Sequence, residues 1–194
     1  LISTYTFSPR GRQIMTIMGK VFEREGDTAT WSNMMLLDYF SGQKIEEVKI
    51  VEKEDGTKEE QPAESTAAFP GKEFDTHVMS PQGVELITVE DRVFQRTSTT
   101  AKVWNTLSLI DYFKDGVVIN ALPDAPEQQL PTARLKTHAY SPTEAEIVSF
   151  SDRYWKRTGD DVNWQTGALK DYFEGQTLEG ADTLAADDAK PDAT

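Results

Sequence analysis

"SPRGRQIMTIMGKVFERE", from Ser8 to Glu25, reads in two ways, and the choice between them sets the fold class. Related stretches recur as "SPQGVELITVEDRVFQR" from Ser80 and "SPTEAEIVSFSDRYWKR" from Ser141, so one decision applies three times. The apolar columns are Ile14/Leu86/Ile147, Met15/Ile87/Val148, Ile17/Val89/Phe150, Val21/Val93/Tyr154 and Phe22/Phe94/Trp155. Wound at about 100° per residue they fall within an arc of roughly 160°, the stripe of an amphipathic helix. An alternating strand would send adjacent apolar residues to opposite faces. Ser-Pro is a good helix start, with Ser as N-cap and Pro in the first turn, and Glu144 completes a capping box with Ser141 in the third copy. The helix is the preferred reading. Gly11 and Gly83 speak for the alternative, in which "SPRG" and "SPQG" are turns and "VFER" pairs with "TATW" as a hairpin.

Downstream, each copy reaches Trp31, Trp104 or Trp164 and then a shared phrase, "LLDYFSGQ", "LIDYFKDG" or "LKDYFEGQ". Leu36/Leu109/Leu169, Tyr39/Tyr112/Tyr172 and Phe40/Phe113/Phe173 keep the i, i+3, i+4 spacing of a short helix face. Gly42, Gly116 and Gly175 follow as stops. Short extended segments flank the pair: "TYTF", "THVM" and "THAY" before it, "KIEEVKIV" and "VVINAL" after it. The expected fold is therefore α+β, with three internal β-α-α-β repeats in a pseudo-threefold arrangement, helix-rich with a small sheet. The alternative is a mainly β chain of three hairpin-based repeats. The units run over about 4–55, 74–122 and 135–176 of a single domain, 1–180, and 181–194 reads as a flexible acidic tail. In the first connector "EDGT" reads as a hairpin turn beside a charged loop, and the proline-spaced "LPDAPEQQLPTARL" reads as extended.

Composition narrows the functions. The 194 residues carry a formal net charge of −13, a field that disfavours nucleic acid, although an acidic nucleic-acid mimic is physically possible. With no cysteine, disulfides, thiolate metal sites and a cysteine nucleophile are excluded. No apolar run approaches bilayer length, so a soluble protein that does not engage the membrane is expected. "LISTYTFSPRG" lacks the charged start and apolar stretch of a signal peptide, and the compartment is left open.

Three polar columns repeat. His77 and His138 share a column with Tyr5 and are the candidates for a cofactor or metal contact, set against the simpler reading of packed strand residues. Asp38, Asp111 and Asp171 are the metal candidates if the units converge, and locally bonded helix-end residues otherwise. Arg24, Arg96 and Arg157 repeat with the tryptophans, which suggests a guanidinium stacked on an indole or tied to the aspartate of its own unit. No catalytic residue and no cofactor is assigned, since phosphate-loop, dinucleotide, zincin and EF-hand patterns are all missing. What repeats is packing and capping. The expected function is a non-enzymatic structural or protein-interaction module that self-assembles or docks into a larger complex. The alternative is a small-ligand binder or enzyme with its site at the repeat junction.

Overall fold

The computed structural model describes residues 2–174 apart from 28–29, 66, 72, 121–128, 133, 142, 144 and 160, together with the backbone but not the side chains of 48–52, 58, 60–62 and 64. The tail 181–194, Gly175, Pro142, the Glu144 capping box and most of the second connector lie outside the described residues.

The first unit is a four-stranded antiparallel meander of β1 (Thr4–Phe7), β2 (Arg12–Ile17), β3 (Lys20–Glu25) and β4 (Ser32–Met35), closed by the one-turn helix α1 (Leu36–Tyr39). The second repeats it with β7 (Thr76–Met79), β8 (Glu85–Val89), β9 (Arg92–Arg96), β10 (Val103–Ser108) and α2 (Leu109–Tyr112). The third uses β12 (Thr137–Tyr140), β13 (Ala145–Phe150), β14 (Arg153–Thr158), β15 (Asn163–Ala168) and α3 (Leu169–Tyr172). Connectors run to the outer edge of the next sheet. β5 (Lys44–Glu52) pairs parallel with β10 and forms a hairpin with β6 (Lys58–Glu64), turning at Asp55-Gly56, and β11 (Val117–Val118) pairs parallel with β15.

The helix-rich α+β expectation is wrong. Among the described residues strand accounts for 48% and helix for 8%, and the three β-α-α-β units are sheets, each ending in a single helical turn. The stretch after Ser-Pro is a turn followed by two paired strands: Ser8 accepts from the Gly11 amide, Gly11 sits at φ +86°, and β2 pairs with β3 from Arg12↔Glu25 to Ile17↔Lys20. The reason lies in the packing. The second sheet stands between the other two, so Leu86 and Ile87 face different neighbours, as do Val93 and Phe94, and the first and third sheets carry the same apolar columns. A strand covered on both faces loses its alternation and gives the apolar run that a helix also gives.

Two cores result, each shared by consecutive units. Ile14, Val21, Leu36 and Phe40 of the first pack against Met79, Ile87, Phe94 and Trp104 of the second. Leu86, Val93, Leu109 and Phe113 of the second pack against Val148, Trp155 and Trp164 of the third. The inner strands β1, β7 and β12 lie side by side, and their C-terminal ends line one cavity at Phe7, Met79 and Tyr140. The sheets thus stand radially, like blades, around the inner strands.

Candidate functional site

The polar columns assemble into one construction, built at three places. In the second blade, Glu85 on β8 is fully buried. Its Oε1 accepts from His77 Nε2 at 2.7 Å and from the Tyr39 hydroxyl at 2.6 Å, and its Oε2 accepts from Arg96 Nε at 2.7 Å. The Arg96 guanidinium lies over the Trp104 indole, 4.5 Å from the ring centroid. Arg96 also donates to the Ala101 carbonyl and, at 3.1 Å, to the Gln43 amide oxygen, which accepts from the Trp104 indole N–H as well. The third blade repeats the set: Glu146 accepts from His138 at 2.8 Å, from Tyr112 at 2.9 Å and from Arg157 at 2.7 Å, and Arg157 covers Trp164 at 4.7 Å. The first blade carries a version with an amide in place of the carboxylate. Tyr5 replaces the histidine and donates at 2.6 Å to Gln13, which also accepts from Arg24, and Arg24 lies over Trp31 at 4.6 Å.

The two glutamate ties each span two units. Tyr39 and Phe40 belong to the first unit, yet they close over the Glu85 and Trp104 of the second, with Phe40 edge-on to Trp104 at 5.6 Å. Tyr112 and Phe113 do the same for Glu146 and Trp164. The helix is aimed by a backbone bond repeated in all copies: Leu36, Leu109 and Leu169 donate to the carbonyls of Gly19, Asp91 and Asp152 in the β2–β3-type hairpin turns. In its first two copies the DYF phrase is thus a latch between blades.

Electrostatics fit that role. Burial alone would raise the Glu85 carboxyl, but the hydrogen bonds and positive charge supplied by His77 and Arg96, with the Tyr39 hydroxyl, outweigh it and hold the group at about 2. Glu146 is held at about 2 by His138 and Arg157 against the same desolvation. Tyr39 and Tyr112 are pushed well above the ordinary phenol value, by burial first and by the adjacent carboxylate second. Nδ1 of both histidines meets no polar partner among the described residues, so Nε2 carries the proton that the carboxylate accepts.

The structure places the expected site residues as follows. His77 and His138 are buried, each bonded to the glutamate of its own blade, and they do not share a site. Asp38, Asp111 and Asp171 are exposed on three separate helices, and Ser108 caps α2 by accepting from the Asp111 amide while its hydroxyl donates to the Asp111 carboxylate. No group of three or more metal-capable side chains forms among the described residues. The arginines stack on their tryptophans, as one of the two expectations had it, but their carboxylate partners are Glu85 and Glu146 and not the DYF aspartates. Sequence reasoning passed over Gln13, Glu85 and Glu146, although they form a column four residues after the Ser-Pro proline. A polar column inside a strongly apolar stretch was the available signal.

The two junctions differ in one respect. At the second, a cavity of about 340 Å³ reaches Tyr112, Tyr140, Glu146 and Arg157. At the first, a cavity of about 380 Å³ is lined by Arg10, Arg12 and Thr97–Thr100 and stays clear of the Glu85 cluster. Gln43 covers Arg96 there, while the matching position in the second unit is Gly116. A Cβ at Gly116 would press on the Leu130 side chain and lie 2.8 Å from the Trp164 indole nitrogen. Arg157 is accordingly 21% exposed at its side chain, against 3% for Arg96.

The chain matches no protein-family model and no curated protein sequence. It is similar in fold to solved structures. A hemopexin fold protein, CP4, from cow pea superposes with TM-score 0.55 at 8% identity over 92% of this chain and 73% of that one. A 2S albumin seed protein from Dolichos gives 0.55 at 8% identity, over 88% and 69%. A plant lectin with two metal-binding sites from Cicer arietinum gives 0.53 at 10% identity, over 88% and 69%. At these identities the likeness is one of fold alone. No helix among the described residues is long and apolar enough to cross a membrane.

Proposed function

We propose that this chain is a non-enzymatic protein-interaction module that docks through the faces of its repeated blades. One observation carries the reading. The repeated side chains suited to chemistry, His77, His138, Glu85, Glu146 and Arg96, are buried in ties between blades. Apolar groups such as Phe7 and Phe173, at opposite ends of the row, are 54% and 56% exposed. A net charge of −13 favours a basic rim on any unlike partner. The test is size fractionation of native extract from the source. The chain should run above its monomer mass, and Phe7→Asp with Phe173→Asp should return it to monomer without altering its thermal melt. Wild-type chain eluting as free monomer, or a double variant that stays in the large fraction, counts against the proposal.

A second reading, a small-ligand site at the junction of the second and third blades, is favoured by the cavity beside Arg157. Native mass spectrometry should then show a bound small molecule that Arg157→Ala loses. A spectrum at the bare chain mass removes this reading.

A further inference from the structure

Burial in each column depends on which blade it belongs to. On the face turned toward the preceding blade, the second blade buries Met79, Ile87, Val89, Phe94 and Trp104, all at 9% exposure or less. The same positions in the first blade are Phe7, Met15, Ile17, Phe22 and Trp31. Here Phe7 is 54% exposed and the other four are half-buried. On the face turned toward the following blade, Ile14, Val21, Leu36 and Phe40 are 0–4% exposed, and Leu86, Val93, Leu109 and Phe113 are 0–6%. Their counterparts in the third blade are Ile147, Tyr154, Leu169 and Phe173. The first three are half-buried and Phe173 is 56% exposed. α1 and α2 contribute buried leucines to the cores, whereas α3 has no buried residue.

The two half-open faces are the two halves of one interface, which the chain already makes twice within itself. A terminal repeat that ends a stack carries a polar outer face. The outward faces of the first and third blades keep Phe, Ile, Leu, Met or Trp in core positions. We infer that the partner for these faces is a second copy of this chain, docked head to tail, with the α3 face of one copy against the β1–β4 face of the other. This rests on the interaction reading above and names its partner. The occupant follows from complementarity: the surface that fits the third blade's open face is a blade's leading face, and the first blade of another copy presents one. Such an interface is heterologous, so the copies close into a ring if the rotation permits and extend in a row if it does not.

The test uses the purified 194-residue chain alone, in sedimentation velocity over a concentration series. Wild type should sediment as a dimer or larger. Phe7→Asp disables one end and Phe173→Asp the other, both at exposed positions that leave the fold intact by circular dichroism. Each variant alone should weaken association by about tenfold or more. Their equimolar mixture should recover a dimer and grow no further, because one good interface can form between the unlike variants. A wild-type chain that is monomeric at about 100 μM overturns the inference. So does a dimer that neither substitution weakens, or a mixture that recovers nothing. If the purified chain is monomeric while native extract still holds it in a large complex, the second-copy inference fails and the broader interaction reading stands.

Discussion

Glu85 is the residue on which the second blade turns. Its carboxylate collects His77, Arg96 and Tyr39 in a site with no water-facing surface. Deleting it leaves a buried guanidinium without its counter-charge, so Glu85→Ala should cost about 3–5 kcal/mol in urea unfolding. Glu85→Gln should cost less than Glu85→Ala, because the amide oxygen still accepts from Tyr39 as Gln13 does from Tyr5, although Arg96 loses its counter-charge in both variants. Equal losses for the two substitutions would show that charge and not hydrogen bonding dominates the tie. The pH dependence follows from the same group. Glu85 is held at about 2 in the folded chain, below the 4.5 of a free carboxyl. A depressed carboxyl contributes stability above its unfolded value and loses it as pH falls toward its folded value. The stability gap between wild type and Glu85→Gln should therefore be widest above pH 4.5 and shrink steadily toward pH 2. A gap that stays constant across that window in thermal melts would contradict the assignment. Comparing the two proteins removes the common effect of exposed carboxylates titrating in the same range.

At the scale of the element, the one-turn helix is too short to be stable by itself, and what holds it is the next blade. α2 donates its first amide to Asp91, buries Leu109, and places Tyr112 and Phe113 on the third blade. α3 has the same sequence pattern and the same backbone tie to Asp152, but Tyr172 packs on Tyr154 of its own unit and Phe173 stays exposed. Phe113→Ala should therefore destabilise the chain by about 3–5 kcal/mol, as large aromatic truncations in cores do. Phe173→Ala should cost about 0.5 kcal/mol or less, measured on protein dilute enough to be monomeric. Similar costs at both sites would mean that α3 is covered within the chain.

Across the whole molecule, the net charge of −13 opposes the compact state through self-repulsion. The buried ties are screened little by salt, while exposed like charges are screened strongly. Raising ionic strength from about 0.01 M to about 0.15 M, over which the screening length falls from about 30 Å to about 8 Å, should thus raise the melting temperature. A melting temperature that falls with salt would show that exposed ion pairs such as Lys53–Glu59 outweigh the repulsion. The radial stack also explains the placement of β5 and β11. Running from each latch helix to the outer edge of the next sheet, they pair with strands that would otherwise present free edges.

The sequence by itself determined that the chain is three copies of one unit. Ser8-Pro9, Ser80-Pro81 and Ser141-Pro142, the Arg–Trp pairs and the DYF phrase align without coordinates, and the one-turn helix at DYF and the Asp55-Gly56 hairpin follow from local spacing and turn chemistry. Local signals carry that far because a repeat, a turn and a short amphipathic face are written in neighbouring residues. The identity of the stretch from Ser8 to Glu25 was decided only by tertiary structure. Its columns are those of the second blade, whose strands are covered on both faces by its neighbours, and two-sided burial erases the alternation that separates strand from helix. The same holds for the polar columns. Tyr39 reaches Glu85 across 46 residues and Arg96 reaches Gln43 across 53, distances that no spacing rule spans. The sequence named His77, His138 and the arginines as repeated. Strand pairing within the second and third blades showed that their partners are glutamates, and the packing of one blade on the next added Tyr39 and Tyr112, which makes each cluster a joint between units.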